Sequence, residues 1–588
     1  MLPNRTTSSP DALALDTLNV EEGLQIADVD HLPVISRIWD ELGLTDVVDE
    51  TVAQDPQQAM STGLALKAMV LNVVTGRDPL YRLRSWAEEL PLDLLLGPGV
   101  HADQFNDSSV ARHLDRFFEG GAEKIFNAAA LRAIDVEGLQ LDRLHNDTTS
   151  RLVFGAYNHP EEPNTISITY GHSKDQRPDL KQVMYGLSTT TDGVPVSAQL
   201  LSGNTSDKTW NSDLLAELKK NLRLDPTKAL HYVGDSALVT QRNLDLAAAN
   251  GIVLTSRMPR TLTATTTALV RAAHEPLPMT QLGTFSESKD ATSYEGCVLP
   301  DCEVLGHRVQ LGVFRATPAN TRTQQVVLAR QKKELATATK AGKKLSTTLF
   351  ACEPDAHAAA ADFIAAHSTG AEADRLISIV VKVVTEEISG SRGRGRPAKN
   401  AAPPAPTTAY RVEVEVSADD AQAQAVMLRD GAFVLVHTGR DPISAADMLR
   451  AYKGQSVVET RFPFLKDPAW ADVFFLKLPH RIEALGYVLL LALLVWSIWE
   501  RRIRRNLSVK PERRFKDWNG MVRKNPTAMV CLHMLSGLKV LRVRTPQGWS
   551  PWTLAGRPKP GQEYVLQLSA RAKTPPSDAV KENQRQLT

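Results

Sequence analysis

LQLDRLHNDTTS, residues 139–150, is the stretch on which the fold turns. It reads as an apolar strand that ends in polar residues, just after Gly138. Upstream, from Leu24 to about Phe118, the pattern is helical. In PVISRIWDELGLTDVVDE (33–50) apolar residues fall at three- and four-residue steps, and Gly43 breaks the segment into two short helices. STGLALKAMVLNVVTG (61–76) is a second apolar helix. DSSVARHLDRFFEGG (107–121) offers Asp107 or Ser108 as N-cap and Gly120 as a stop. Downstream, KQVMYGLSTTT, Asp192-Gly193 and VPVSAQLLSGN predict a β-hairpin, because Asp-Gly suits a turn with positive φ. An amphipathic helix (209–222), a strand ending at Asp235, a helix (241–251) and the strand IVLTSR (252–257) follow. Strand, hairpin, helix, strand, helix, strand is the order of a mixed α/β sheet with helical crossovers.

The chain has 588 residues, too many for one core, and 43% hydrophobic with 23% charged residues is ordinary globular composition. Wholesale disorder and fibrous repeats are excluded. Four cysteines without a C-x-x-C pair argue against a disulfide scaffold or structural zinc, and fit a reducing cytoplasm. The first twenty residues lack a basic region followed by an apolar run, so no secretory leader is expected. ALGYVLLLALLVWSIW (484–499) is shorter than the ~20 residues that span a bilayer and is read as a buried helix.

Net charge is only +1, but it is unevenly spread. Residues 1–60 hold two basic and twelve acidic residues, whereas residues 500–524 hold ten basic and three acidic ones. A local phosphate-binding face on a neutral molecule is one reading, and a solvated surface is the other.

Three acids stand out by placement: Asp147 in LHNDTTS, Asp235 in YVGDSAL and Glu459 in YKGQSVVETRFPFLK. Open α/β sheets bind ligands at the carboxyl ends of their strands. Two Asp at strand ends and one Glu on a neighbouring helix form a hard oxygen set suited to Mg²⁺ or Mn²⁺. An Asp after a strand is also a common turn former or helix cap, and on position alone that reading is preferred. The surroundings of Glu459 change the balance. Tyr452, Gln455, Glu459 and Lys466 follow the pattern Y-x2-R-x3-E-x6-K with Gln for Arg. Their spacing puts all four on one side of a helix, provided Pro463 does not bend it away.

On these residues the sequence resembles DDE transposases of bacterial insertion sequences, in the branch carrying the Tyr-Arg-Glu-Lys signature. GHSKDQRPDLKQVMYGL (171–187), DGVPVSAQLLSGNTSD (192–207) and FLKLPHRIEAL (475–485) are similar to stretches of that family, over roughly residues 24–540. The resemblance implies a ribonuclease-H-like fold: a mixed five-stranded sheet with flanking helices, a large mostly-β insertion and an all-helical N-terminal domain. The 224 positions from Asp235 to Glu459 far exceed the dozen or so a parallel crossover needs, and the excess would be that insertion. The implied organisation is a disordered 1–22, a helical domain 23–135, catalytic parts 136–257 and 431–540, an insertion 258–430 with linker 390–408, and a tail 541–588. The implied activity is metal-dependent cleavage at element ends followed by strand transfer. Asp147, Asp235 and Glu459 would hold two Mg²⁺ or Mn²⁺ ions, with Asp147 bridging them. Tyr452 and Lys466 would hold phosphate near the scissile bond. The implied partner is double-stranded DNA, the implied state a homodimer on DNA, and the implied place the cytoplasm, at the nucleoid and away from membranes. Gln455 departs from the family's Arg, since a neutral amide lacks the charged fork that pairs with phosphate.

Lys174, Arg177 and Lys181 precede a core strand and suit phosphate contact or an Arg–Asp network with Asp175 and Asp179. Arg394-Gly395-Arg396-Pro397 matches the core of a minor-groove hook, although a flexible connector is the preferred reading. RQKKELATATKAGKKL (330–345) is either a solvated face or a DNA-channel wall. The 501–524 cluster, with Phe515 and Trp518, fits backbone contact plus stacking, or a charged cap on the buried helix. There is no phosphate loop, nucleophile elbow or H-E-x-x-H. Two alternatives stand beside the transposase reading: a noncatalytic DNA-binding derivative, and a nuclease that cuts without joining.

Overall fold

The computed structural model describes residues 23–571, apart from 54, 76–78, 156, 159–164, 174–175, 286–290, 368–373, 390–405, 467–475 and 510–513. The chain divides into two compact units, Met1–Leu254 with Gly454–Thr588, and Thr255–Lys453.

The first unit opens with a strand, β1 (Leu24–Asp28), paired antiparallel with residues 539–543. The expected all-helical N-terminal domain therefore begins on a strand. Five residues are too few for a period to show, and the pairing partner lies at the far end of the chain. Helices follow at Leu32–Glu41, Leu44–Asp49, Thr62–Thr75, Asp107–Glu119 and Ala122–Glu137, with shorter turns between them. Gly43 separates the first two at φ +64°, a conformation glycine adopts without strain. The helix Asp107–Glu119 is capped one residue earlier than expected: the Asn106 side chain accepts from Ser109 N at 3.0 Å.

Strands β2 (Arg143–Val153), β3 (Lys181–Thr190), β4 (Pro195–Ser202), β5 (Leu230–Gly234) and the start of β6 (Ile252–Arg257) stand in the order β4-β3-β2-β5-β6. β2 and β3, and β3 and β4, are antiparallel, while β5 runs parallel to β2. Gly193 turns the β3–β4 hairpin at φ +79°, as the Asp-Gly pair predicts. β2 does not end in its polar residues. It continues to Val153 because β3 pairs with it along its whole length. The helix Pro479–Ser508 is the core of this unit and is buried along nearly its full length, from Ile482 to Ile503. It is long and apolar enough to cross a membrane, yet 94% of its most apolar window is buried inside the fold.

In the second unit the end of β6 pairs with β13 (Ala432–His437), and the sheet continues through β9 (His307–Ala316) and β8 (Ser293–Val304) to β7 (Thr280–Thr284). A separate sheet has the order β10 (Leu349–Phe350), β12 (Thr407–Ala418), β11 (Ile377–Ile388). The insertion, expected to be mostly β with some helix, carries the 30-residue helix Thr317–Ser346 and the 15-residue helix Glu353–His367. Alanine, lysine and glutamine, which fill those segments, are strong helix formers.

Candidate functional site

The first unit brings Asp147 and Asp235 together by strand register. β2 and β5 pair in parallel with His145 opposite Val233. Two residues further on lie Asp147 on one strand and Asp235 beyond the end of the other, and neighbouring strands stand about 4.8 Å apart. Asn146 ties the strands at this level, donating to the Val233 carbonyl at 3.3 Å. β5 stops at Gly234, so the edge of β2 opens where Asp147 projects.

Each aspartate is half-buried and partly occupied. Asp147 accepts from Thr148 N at 2.8 Å. Asp235 caps the 3₁₀ turn Ser236–Leu238, accepting from Ala237 N at 3.1 Å. The cap that favours a purely structural role for Asp235 is thus real, and it uses one carboxylate oxygen. Their charges reach the buried Tyr232 hydroxyl. Burial first, then Asp235 and Asp147, push its pKa well above the ordinary tyrosine value. That phenol donates to Asn211 at 2.6 Å, which ties the strand to the helix Asp207–Asn221. Thr148 donates to Asp207 at the start of the same helix.

The segment carrying Glu459 is not one helix. Ala445–Lys453, Ser456–Glu459 and Phe462–Lys466 are three short ones. The expected single face bearing Tyr452, Gln455, Glu459 and Lys466 does not exist. Gly454 and Pro463 account for the breaks: glycine weakens a helix, and proline has no N–H to bond with. Tyr452 belongs to the second unit, where it packs against the buried cluster of Tyr294, Phe314, Leu435, Met448 and Leu449. Gln455, Glu459 and Lys466 belong to the first.

Gln455 is buried. In the amide orientation that satisfies both ends, it donates to the Gly234 carbonyl and accepts from Asp235 N, each at 3.2 Å. The amide can do both, whereas a guanidinium has five donors and no acceptor. Gln455 therefore forms a clasp on the backbone of Asp235 that an arginine could not make. The short helix that follows packs on β2 and β3. Buried Arg151 of β2 fixes the next one, donating to Leu465 O at 2.9 Å. Glu459 itself is exposed. Among the described residues no three acidic, histidine or cysteine side chains gather closely enough to hold a metal ion. The structure thus levels two of the three acids by strand register, and no closed three-ligand cage forms among the described residues. Two carboxylates on adjacent strands are hard donors that fit part of a Mg²⁺ shell, with water and phosphate oxygens left to complete it.

The other expected contacts divide. Arg177 is locked to Asp179 by bonds of 2.8 and 2.7 Å, the Arg–Asp arrangement. Lys181 donates to Tyr157 O at 3.0 Å and to Asn158 at 3.1 Å. Lys466 is half-buried at the end of its helix. Lys174, Arg394 and Arg396 lie outside the described residues. In the 501–524 cluster, Arg501 and Arg502 are buried and paired with Asp192 at 2.9 Å and Glu137 at 2.6 Å. The charged-cap reading describes them.

A cleft of about 840 Å³ lies beside the Ser456–Glu459 helix, lined by Ser456, Thr460, Phe464, Trp496, Arg504 and Arg505 among others. Neither Asp147 nor Asp235 lines it.

Residues 24–131 match a family described as a domain of unknown function, DUF4277. No curated protein matches the chain. Among solved structures, one similar chain is a piggyBac transposase in a cryo-EM synaptic complex with hairpin DNA, at 10% identity and a TM-score of 0.35, covering 95% of this chain and 87% of that one.

Proposed function

We propose that this chain is a DDE transposase that cleaves DNA at the ends of an insertion sequence and joins them to a target. The observation that carries the reading is the level placement of Asp147 and Asp235, 88 positions apart in sequence, just past the point where parallel β2 and β5 cease to pair. The strand order β4-β3-β2-β5-β6, with an antiparallel trio and then a parallel fourth, supports a ribonuclease-H-like reading.

In this reading Asp147 and Asp235 are the fixed part of a site for two Mg²⁺ or Mn²⁺ ions. Gln455 keeps the Asp235 backbone in place and positions the helix of Glu459. The reading requires Glu459 to complete the set when DNA binds. Bound metal would supply a water of lowered pKa and neutralise charge developing on the phosphate. No residue forms a covalent intermediate. The substrate is duplex DNA, held by a homodimer at paired ends, in the cytoplasm. One observation favours a second reading, a DNA-binding protein without catalysis: among the described residues no three ligating side chains form a closed metal cage.

The test uses the full chain and a plasmid carrying its gene with the flanking DNA. We expect Mg²⁺-dependent release of 3′-hydroxyl ends. Asp147→Asn, Asp235→Asn and Glu459→Gln should each lower the rate by about 10³-fold or more, as loss of a group that acts within a unit does, with duplex binding unchanged. Undiminished cleavage by Asp235→Asn would falsify the assignment. DNA binding without cleavage by the unaltered protein would favour the second reading.

A further inference from the structure

The helix Thr317–Ser346 presents a row of lysines that no described residue of its own unit pairs with. Its buried positions, Val327, Gln331, Ala338 and Gly342, lie along one side. That side packs on β12 and on the helix Asp420–Asp430. Gln331 anchors it there, donating to Leu376 O at 3.2 Å and to Asp420 at 3.3 Å. A Cβ on Gly342 would stand 2.9 Å from Val414, so the helix seats closely on the sheet.

At 100° per residue, Lys332, Ala336, Lys340 and Lys343 fall on the opposite side. Together with Leu335 and Thr339 they line a shallow groove of about 500 Å³. Lysines flank a floor of small residues, which lets a narrow polyanion approach the helix surface. Arg330 is spent on Glu334 at 3.1 Å. Lys332, Lys333, Lys340, Lys343 and Lys344 are all exposed, and among the described residues none of them forms an ion pair. Five uncompensated charges on one helix repel one another, and a bound polyanion relieves that repulsion. From Lys332 to Lys343 the stripe runs roughly 16 Å at 1.5 Å per residue. Duplex DNA carries one phosphate per 3.4 Å on each strand, so the stripe spans several phosphates.

We propose that this stripe binds the phosphate backbone of duplex DNA without sequence preference. The inference rests on the transposase reading for the identity of the polyanion. Three lysines facing one groove and no base-reading side chain among them give affinity and steering, not specificity.

The test measures binding of the full chain to a fluorescent duplex of arbitrary sequence across a salt series. Lys332→Gln/Lys340→Gln/Lys343→Gln keeps good helix formers at all three sites. Lys124→Gln/Lys220→Gln/Lys228→Gln removes the same charge from exposed positions of the first unit. We expect the first triple variant to bind at least tenfold more weakly at 100 mM salt. Its salt dependence should flatten by roughly 0.9 in log–log slope for each lysine that meets a phosphate. The control triple should match the unaltered protein. An unchanged slope, an equal loss in the control, or a loss confined to single-stranded RNA overturns the proposal. If the unaltered protein cleaves plasmid while the first triple keeps its slope, this inference alone fails. If the unaltered protein neither binds nor cleaves DNA, the transposase reading fails and takes the inference with it.

Discussion

Two helices of 30 residues, Pro479–Ser508 and Thr317–Ser346, both carry dense positive charge and use it in opposite ways. The first is apolar on all sides, the mark of a core helix, and its arginines are turned inward onto carboxylates. Arg461 and Arg504 meet Glu500 at 2.8 and 2.9 Å, and Arg502 meets Glu41 and Glu137 at 2.6 Å each. The second buries one side only and leaves its lysines to solvent. In each sequence the basic residues stand out equally. What separates them is the location of the countercharge. For Arg502 it comes from residues 41 and 137, hundreds of positions away. For Lys332 to Lys344 it is absent among the described residues.

The sharpest way to break this contrast is to remove a countercharge from the core helix. Glu500 and Arg461 are each 5% exposed at the side chain, and Glu500 also accepts from Ala528 N at 3.0 Å. Glu500→Ala strands a buried guanidinium, which costs about 3–5 kcal/mol. Urea unfolding followed by tryptophan fluorescence should show it, because Trp496 and Trp499 sit on the same helix and report on it. A shift below about 1 kcal/mol would mean that Arg461 and Arg504 reach water, and that the first helix resembles the second.

Acid should also reach the core helix and spare the exposed one. His31 stacks on Trp499 at 5.9 Å and bonds the Val74 carbonyl at 2.9 Å. Burial lowers its pKa from 6.5 to about 4. Between these values the unfolded chain binds a proton that the folded one refuses. Stability from this group is therefore complete above pH 6.5 and lost as pH falls towards 4, by up to about 3 kcal/mol. His113 and His145, also lowered to about 4 by burial, act in the same direction. Glu483 acts in the opposite direction, since burial raises its carboxyl to about 6. It favours the fold below pH 4.5, and that advantage fades as pH rises through 6. Three groups against one give a net loss on acidification. Replacing His31 with Phe should make the pH dependence of the unfolding midpoint shallower, and an unchanged slope would place His31 in contact with water.

The same distinction marks what was legible in the sequence. Local signals read well: the Gly43 break, the Asp192-Gly193 turn, and the strand at 252–257 each depend on residues within a few positions. Asp235 does follow a strand end, but β2 runs on past Asp147 to Val153, because its partner β3 lies downstream and cannot be read locally. The single face at 452–466 failed although its breakers, Gly454 and Pro463, were in plain view, because the 3, 4 and 7 spacing outweighed them. The clasp of Gln455 on Gly234 and Asp235 could not be read at all, since its partners lie about 220 positions upstream. For the same reason the two readings of the 501–524 cluster could not be separated at Arg501 and Arg502: Glu41, Glu137 and Asp192 are invisible to a local charge count.

The smallest expected effect tests the other helix. Lys340 touches no carboxylate among the described residues, and its side chain stands in water. Lys340→Ala removes one of five like charges and substitutes the best helix former, so both local terms are neutral or favourable. The stability of the fold should change by no more than about 0.5 kcal/mol, the ordinary range for an exposed site without a partner. Hydrogen exchange along residues 330–345 should then be as slow as before, or slower. Faster exchange there would show that Lys340 supports the helix through a contact, and its charge would no longer be available to a phosphate. Near-zero cost to stability is therefore not an incidental result: a cation can serve a partner only to the extent that its own fold does not need it.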